Sequence, residues 1–576
     1  MTYLVVVSEI SLLPITALIL SGKKVLILEV ESIVPSFLRV LNIFTNWLVN
    51  SGRAEWAIDS VPELERVKHS PDKTLLYDVF AKTENWQNTY FKFSTFQKSV
   101  GQYAMACKLA VTNFMTTKHV SVLVLSALVI EPKKEKIKCF CIPFEILALA
   151  SAFSGEDIVA QNKKVPYGLL NLLVFVFTVG YLIVWAIAHT KLSKIRSNSI
   201  FFAADFIADQ RDIDLYKEVQ EGGDILMVGR GAGISSPLRS RLPRHTYCRL
   251  GDGELSLMEL GVIFRMLLHD EWLMYKNFIQ TPPGLFVRLA SLPFKRLKYR
   301  SLFNRFKPRF YWGRDPYNDD HIIRRQELNR VGGLSFGVNT GALTWAALIP
   351  AYRYISYDNF YVFGNNKLIK YYGETWASNM DVIPAGSFTA RREHYGRRFD
   401  KRPKDIAVFS SIFVGEPELV ELIRGLAIAL PDRKIIIQTK GGIVNRFSLD
   451  NFIEDCQRGL SNIEYSSDSP YELFFRCEYG ISDPSSIAVE AIQFGVKAFV
   501  FDIPRVQSSN VFRELPELIV DDSSQARTRI LEIENGLWRY PIEKFKDLVD
   551  MSGTVFFDRV RTDMGLPAKQ GSIPLV

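Results

Sequence analysis

The sequence predicts an α/β protein with two Rossmann-like domains and a membrane-associated helical insertion in the N-terminal domain. Three observations support this prediction. Strand-like and helix-like patterns alternate between residues 405 and 550 at the spacing of an open parallel sheet. The first 30 residues show the same alternation. Between these two regions lies a 21-residue apolar segment.

The composition suits a multidomain protein that meets lipid. The chain has 576 residues, enough for two or three domains. A hydrophobic content of 48% and a mean hydropathy of +0.05 indicate that some apolar surface contacts a membrane. The net charge of +8 favours anionic partners, but no nucleic-acid-binding module is recognisable and no nucleic acid is expected. The six cysteines fit no zinc framework, so a reducing, cytosolic setting is expected.

The N-terminal part, residues 1–141, opens with a β-α-β pattern. Tyr3–Val7 and Lys24–Glu29 read as strands, and Leu12–Leu20 reads as the helix between them. The first turn has no glycine fingerprint, so no dinucleotide site is expected there. Further strands are predicted at Val120–Ile130, Asp224–Val228, Gly333–Val338, Phe360–Phe363 and Asp381–Ile383.

The apolar segment Gly168–Ala188 is long enough to span a hydrocarbon core of roughly 30 Å. Basic residues flank both ends, so the positive-inside rule gives no orientation. The segment could pair with Ile142–Phe153 as a hairpin, or dip into the membrane without crossing it. We expect 142–200 to be a membrane-associated insertion on the cytoplasmic face; a buried core helix is the alternative.

A basic stretch, Arg288–Arg309, supports the same expectation. It holds eight basic residues and no acid, interleaved with four aromatic residues. Basic residues attract anionic headgroups, and aromatic rings settle at the membrane interface. A solvated basic face is the alternative.

The rest of the chain divides into four further segments. The N-terminal, acceptor-side domain is expected to continue over 201–387. A linker with seven Arg or Lys follows at 388–404. The C-terminal domain is expected at 405–550, and a tail at 551–576.

Ser485, Ser486 and Glu490 are the most informative candidate binding residues. A short strand ends at Ile481, and the two serines are placed to cap the next helix. Glu490 lies one helical turn beyond Ser486, on the same face. In a parallel sheet such a helix N-terminus can bind a diphosphate, and Glu490 could then accept hydrogen bonds from ribose hydroxyls. The alternative is an ordinary capped helix with Glu490 at a domain contact.

This segment resembles a known family. Asp-Pro-Ser-Ser-Ile-Ala-Val-Glu-Ala, followed by Phe-Gly-Val-Lys-Ala-Phe-Val-Phe-Asp, resembles the donor site of GT-B glycosyltransferases, especially capsule enzymes and teichoic-acid polymerases. The likeness covers about the C-terminal two-fifths of the chain. It implies a two-domain fold in which Ser485 and Ser486 contact the donor phosphates and Glu490 contacts the ribose.

Two further residues are candidates for the same site. Lys440 follows a predicted strand at Lys434–Thr439 and could neutralise the leaving diphosphate. Gly415 could let the backbone approach a phosphate. An exposed loop lysine and a plain turn glycine are the alternatives.

A general base is expected from the N-terminal half if the reaction inverts. Relatives often carry a histidine after a Gly-Val strand end, where this chain has Asn339. Asp252 and Glu254, in Arg-Leu-Gly-Asp-Gly-Glu, are the first candidates. The second group is Asp319, Asp320 and His321; solvated acidic turns are the alternative.

Two patterns resemble metal motifs of other glycosyltransferase classes. Asp252 and Glu254 resemble the Asp-x-Glu motif of GT-D enzymes, and Asp212 and Asp214 match the Asp-x-Asp motif of GT-A enzymes. Neither has a supporting context. No metal and no cofactor are expected, and the nucleotide sugar is the substrate.

Together these patterns indicate a membrane-associated glycosyltransferase of cell-envelope polysaccharide biosynthesis. It would transfer a sugar from a nucleotide-sugar donor to a lipid-linked or growing surface polysaccharide. The alternatives of the same fold are a CDP-linked polyol-phosphate transferase and a sugar-nucleotide epimerase. A non-catalytic membrane scaffold with a relict GT-B fold is the alternative from another class.

Overall fold

The computed structural model describes residues 2–8, 11–31, 35–61, 64, 74–130, 137–156, 167–192, 195, 197–205, 210–229, 245–314, 317–339, 341, 350–364, 375–395, 402–439, 446–504, 511–545 and 547–569. The chain forms two compact units. Unit 1 comprises Met1–Ser197, Gly251–Phe306 and Asn318–Glu327, and unit 2 comprises Asn198–Leu250, Lys307–Tyr317 and Leu328–Val576. This division differs from the prediction, which joined 1–141 and 201–387 in one domain.

Strands and helices alternate along much of the chain. The strands are β1 (Thr2–Val7), β2 (Lys24–Val30), β3 (Glu55–Trp56), β4 (Ile137–Phe140), β5 (Thr190–Lys191), β6 (Asn198–Asp205), β7 (Ile225–Gly229), β8 (His245–Arg249), β9 (Leu255–Ser256), β10 (Phe306–Arg314), β11 (Leu334–Val338), β12 (Asn359–Val362), β13 (Asp381–Pro384), β14 (Ile406–Ser410), β15 (Ile435–Thr439), β16 (Ile463–Tyr465), β17 (Tyr479–Ser482), β18 (Lys497–Phe501) and β19 (Ile519–Val520). The helices are α1 (Leu12–Leu20), α2 (Pro35–Asn50), α3 (Thr74–Tyr90), α4 (Phe93–Val100), α5 (Ala104–Thr116), α6 (His119–Ile130), α7 (Phe144–Ser154), α8 (Gly168–Ala188), α9 (Gln210–Val219), α10 (Leu257–Phe278), α11 (Pro283–Arg305), α12 (Asp320–Asn329), α13 (Arg392–Tyr395), α14 (Pro417–Ala429), α15 (Arg446–Gln457), α16 (Pro470–Arg476), α17 (Ser486–Gln493), α18 (Ser523–Glu534) and α19 (Phe556–Asp563).

Unit 1 holds a four-stranded parallel sheet in the order β3-β2-β1-β4. The predicted β-α-β start of the chain is confirmed, with α1 between β1 and β2. The strand predicted at Val120–Ile130 is wrong, because these residues form helix α6. A run this long without polar alternation fits a buried helix as well as a strand, and 12 residues favour a helix.

Unit 2 holds two doubly wound sheets. The first has seven strands in the order β13-β12-β11-β10-β6-β7-β8, and the second has six in the order β16-β15-β14-β17-β18-β19. All five pairs of the second sheet are parallel, and its strands are largely buried aliphatic and aromatic residues. In both sheets the chain starts in the middle, builds one side and then crosses to the other. The topological switch points therefore lie between β6 and β10 and between β14 and β17.

The end of the chain returns to the first sheet of unit 2. Helix α19 lies inside the segment that the sequence analysis treated as a tail, and it buries Phe556 and Phe557. The Phe556 ring lies 5.4 Å from Tyr361 of β12, centre to centre. The Tyr361 hydroxyl donates to the Asp563 carboxylate at 2.6 Å. This helix is therefore part of the folded core of unit 2.

The basic stretch is only partly exposed, because some of its residues form ion pairs within unit 1. It lies on α11 and β10, and Arg296 is buried between Asp270 at 2.9 Å and Glu327 at 2.7 Å. Lys295 pairs with Asp319 at 2.6 Å. The predicted lipid-facing role of these two basic residues is wrong, because acids distant in the sequence neutralise them. A buried guanidinium requires such partners.

Helix α8 coincides with the predicted apolar segment. Among the described residues it is the one helix long and apolar enough to cross a membrane, by length and composition, and 22% of its most apolar window is buried. Its buried face contacts α10 and α11, where Leu182, Trp185 and Ala186 join a cluster with Ile263 and Leu267. The Asn171 amide donates to the carbonyls of Ile279 and Thr281, at 2.7 and 2.9 Å.

Candidate functional site

The candidate site begins at the switch point of the six-stranded sheet. Strands β14 and β17 are parallel neighbours, with Phe409 beside Ser482. Both strands end at this edge, at Ser410 and Ser482. The carboxyl ends of strands flanking a switch point form a crevice in which α/β proteins bind ligands.

Asp483 fixes the loop that follows β14. Its Oδ2 accepts hydrogen bonds from the backbone N–H groups of Ser411 and Ile412, both at 2.8 Å. The side chain is buried, and burial raises the pKa of this carboxyl above its usual value, although these hydrogen bonds oppose the shift. Asp483 was not among the residues predicted from the sequence. A carboxylate directly after a buried strand, in front of Pro-Ser-Ser, was the available signal.

Ser485 and Ser486 lie at the start of α17, as predicted, but the Ser485 side chain makes no capping hydrogen bond. Ser485 is the N-cap residue, and its side chain accepts no hydrogen bond from the first turn. Its hydroxyl instead lies near the Asp483 carboxylate and opposes the rise in the pKa of that carboxyl. The first-turn N–H groups of α17 therefore remain available to an anion, and the positive end of the helix dipole faces the switch point.

Gly415 lies in the loop that Asp483 holds. Its φ of +91° is in the left-handed region, and a Cβ added there would meet no atom within 4 Å. Glycine is therefore required by the backbone conformation and leaves an exposed backbone at this point. Lys440 directly follows β15 and lies outside the described residues.

Glu490 is buried, and its Oε2 accepts hydrogen bonds from the hydroxyls of Tyr471 and Ser387. Those two hydroxyls also contact each other at 2.8 Å. Gln493, one turn further along α17, accepts from the Ser387 N–H at 3.0 Å. Ser387 follows β13 of the first sheet, so Glu490 joins α17 to the segment that connects the two sheets. This is the contact that the alternative interpretation of Glu490 expected.

Asp252 and Glu254 lie in unit 1, in a turn held against α11. The Arg305 guanidinium donates to the Asp252 carbonyl at 2.7 Å and lies 3.9 Å from the Glu254 carboxylate. The Glu254 N–H donates to the Ser301 carbonyl at 3.1 Å. Gly253 packs so closely on Ser301 that a Cβ would overlap it. Close packing thus accounts for the second glycine of the Gly-Asp-Gly turn.

His321 and its neighbours also lie in unit 1. His321 is buried at the start of α12, with Nδ1 2.5 Å from the Asn318 carbonyl. Asp319 is buried as well, and burial raises the pKa of its carboxyl although Lys295 opposes the shift. Asp320 lies 3.6 Å from the same lysine. These acids therefore form part of an ion-pair cluster in unit 1.

The first sheet of unit 2 carries polar residues at its own carboxyl edge. Asp212 is buried and bonds to Arg314 at 2.7 Å, so this half of the Asp-x-Asp pattern forms an ion pair. Asn339 is buried after β11, and its Oδ1 accepts from the Tyr352 hydroxyl at 3.1 Å. Asp205, at the end of β6, accepts from the Tyr311 hydroxyl at 2.8 Å. Asp205 was not predicted from the sequence because an isolated aspartate after a strand has no motif around it.

No protein-family model matches the sequence, and no curated protein matches it. Solved structures show distant similarity. A structure of MnaA from S. aureus with UDP has 10% identity and a TM-score of 0.36, and covers 65% of this chain and 99% of that chain. A UDP-glucosyltransferase from Polygonum tinctorium has 12% identity and a TM-score of 0.36, and the match covers 64% of this chain and 98% of that chain.

A third structure, UDP-GlcNAc 2-epimerase from Neisseria meningitidis bound to UDP-GlcNAc, has 11% identity and a TM-score of 0.35, and covers 64% of this chain and 99% of that chain. The solved structures similar to this chain thus include a glycosyltransferase and a sugar-nucleotide epimerase.

Proposed function

We propose that unit 2 binds a nucleotide sugar at the carboxyl ends of β14 and β17, and that the protein is a GT-B-type glycosyltransferase. One observation supports this most directly. Asp483 anchors the loop after β14 beside the start of α17, whose N-cap serine leaves the first-turn N–H groups available. An anchored loop and an open helix N-terminus at a switch point suit a diphosphate.

Each binding residue has a distinct role in this proposal. The N–H groups of α17 and the Ser486 hydroxyl hold the diphosphate, and Gly415 lets the loop backbone approach it. Lys440 neutralises the charge that develops on the leaving diphosphate. The Glu490 carboxylate accepts hydrogen bonds from the ribose hydroxyls, which replace the hydrogen bond that the Ser387 hydroxyl donates to it. The nucleotide sugar itself is the substrate, and no cofactor is required.

The acceptor and the location form the second part of the proposal. The apolar surface of α8 in unit 1 supports association with the cytoplasmic face of a membrane. An enzyme held there would transfer the sugar to a lipid-linked or growing surface polysaccharide. Asp252, Glu254 and His321 stay the candidates for a general base.

The donor site can be tested by thermal unfolding with UDP, GDP, dTDP, CDP and CMP. We expect at least one of these nucleotides to raise the melting temperature of the wild type. In the Ser486→Asp variant, a carboxylate at the first turn of α17 favours the helix but repels a diphosphate. The unliganded melting temperature should therefore be kept, while the nucleotide-induced increase is lost.

The matched control is Ser524→Asp, which adds the same charge to the first turn of α18, where the serine is exposed. This variant should keep the full response to the nucleotide. If no nucleotide stabilises the wild type, the donor site is refuted. If a nucleotide binds but membrane extracts support neither transfer nor hydrolysis, the scaffold interpretation replaces catalysis.

A further inference from the structure

Helices α8 and α10 of unit 1 share an exposed apolar face that the donor site does not use. On α8 the exposed residues recur at helical spacing, and Leu169 and Phe177 are 74% and 76% exposed. On α10 Met258 is 94% exposed. The other large apolar residues of this two-helix face are Leu173, Val176, Tyr181, Val184, Ile187, Leu257, Val262, Leu268 and Trp272. Exposed apolar residues clustered on two neighbouring helices indicate an interaction site.

The packing of α8 against α10 extends from one end of α8 to the other. Near the start of α8, Asn171 bonds to the Ile279 carbonyl just beyond α10. At its other end, the His189 carbonyl accepts from the N–H of Leu255, just before α10. The two helices are therefore antiparallel neighbours, and α8, with its 21 residues, is about 31 Å long.

This packing is incompatible with α8 crossing a bilayer. If α8 crossed, the middle of α10 would lie at the centre of the hydrocarbon layer. Arg265 and His269 are exposed there, and Asp270 bonds inward to Arg296. Charged groups at that depth cost several kcal/mol each. With α8 and α10 parallel to the membrane plane, the apolar residues meet the lipid boundary, and Arg265 and His269, which lie on the same exposed side of α10, stay level with the headgroups.

The charge of the same face indicates which lipid it meets. Arg265 and Lys276 are exposed on α10, and Lys191 is exposed just after α8. The central acids of α10, Asp270 and Glu271, are buried. Exposed cations beside an apolar strip suit anionic headgroups, while Trp272 and Tyr181 suit the interfacial layer.

We propose that α8 and α10 form an in-plane membrane anchor that embeds this two-helix face in the headgroup layer of an anionic bilayer. This inference makes specific the membrane association in the proposed function and does not depend on the donor site. A nucleotide-dependent rise in melting temperature without vesicle binding would therefore overturn the anchor alone, and vesicle binding without nucleotide binding would overturn the donor site alone.

Flotation of the full chain with vesicles tests the anchor. The wild type should bind vesicles of phosphatidylcholine mixed with phosphatidylglycerol, and bind phosphatidylcholine alone more weakly. Phe177→Glu should lower the partition coefficient by about tenfold or more. The matched control is Leu537→Glu, at an equally exposed leucine of unit 2 with 78% exposure, which should leave binding unchanged.

The contribution of charge is tested by Arg265→Glu, with Arg527→Glu, an exposed arginine of α18, as the control. Arg265→Glu should abolish the preference for phosphatidylglycerol, and Arg527→Glu should keep it. Equal losses in both variants would show that net charge, and not this face, drives binding, and would overturn the proposal. So would a wild-type dimer in solution that Phe177→Glu dissociates, combined with no vesicle binding, because the face would then be an interface between two copies.

The orientation is tested with spin labels at single cysteines, after replacement of the partly exposed Cys139 and Cys141 by serine. Labels at Leu173, Phe177 and Val184 lie on the same exposed stripe of α8. An in-plane helix places all three at the same shallow depth. A depth that rises from Leu173 to Phe177 and falls again by Val184 would show that α8 crosses the bilayer and would refute the proposal.

Discussion

The replacement of Asp483 by alanine is the most direct test of how the candidate donor site is built. The Asp483 carboxylate accepts from the N–H groups of Ser411 and Ile412 at 2.8 Å each, in a buried position. Without it, both N–H groups lose their acceptor. Leaving a buried donor unsatisfied costs about 1–3 kcal/mol. Local opening of the loop should become more favourable by this amount, so each amide should exchange about 5- to 150-fold faster.

Hydrogen exchange of a peptide that covers β14 and the following loop measures this change. Local exchange is the appropriate assay because a chain with two compact units need not unfold in a single step. The control is Asp468→Ala in the same half of unit 2, where the aspartate is exposed and pairs with Arg476. Unchanged exchange at Ser411 and Ile412 in the Asp483→Ala protein would refute the anchoring role of Asp483.

Two further predictions concern unit 1. Gly253→Ala should destabilise unit 1 by about 1–3 kcal/mol in urea unfolding, because the added Cβ would overlap Ser301. The control Gly251→Ala should be neutral, because no atom lies within 4 Å of the added Cβ. Equal effects of the two substitutions would contradict this packing argument. Burial, and secondarily Asp270, raises the pKa of Glu271 from 4.5 to about 9, so the folded protein binds this proton more tightly than the unfolded chain does. The resulting stability is complete below pH 4.5 and is lost as the pH rises to about 9, so the melting temperature should fall less over this range in Glu271→Gln than in the wild type. Parallel curves for the two proteins would show that Glu271 is not the group responsible.

Many strands of the parallel sheets were predictable from the sequence because they are short local signals, whereas β6, β8 and β10 of the seven-stranded sheet were not predicted. The alternation predicted between residues 405 and 550 is confirmed, with buried strands such as Ile406–Ser410, Ile463–Tyr465 and Lys497–Phe501. A strand buried on both faces is a short run of apolar residues bounded by turns, and helices of regular length separate these runs. The failure at Val120–Ile130 shows the limit of this signal, since an apolar run of intermediate length fits a helix equally well.

Pairing between distant residues was not predictable in the same way. Arg296 looked like one member of a basic surface because its neighbours in sequence are basic. In the fold, Asp270 and Glu327 surround it, from positions 26 and 31 residues away. Charge patterns in a sequence record which residues are close along the chain, whereas burial and ion pairing depend on which helices pack together. A basic run on a helix is therefore weak support for a membrane face until its acidic partners are known.

Glu490 illustrates why the binding residues of the candidate site were harder to interpret than the sheet that carries them. The sequence placed Glu490 correctly on the face of α17 that begins at Ser486, but this face can meet a ribose or another part of the protein. The carboxylate accepts hydrogen bonds from Ser387 and Tyr471. Because Ser387 follows the last strand of the first sheet, a ligand that takes its place would also loosen the segment that joins the two sheets of unit 2. If Glu490 binds ribose, donor binding and the position of this segment must be energetically coupled, since a ligand shifts a conformational equilibrium by the difference in its affinity for the two states.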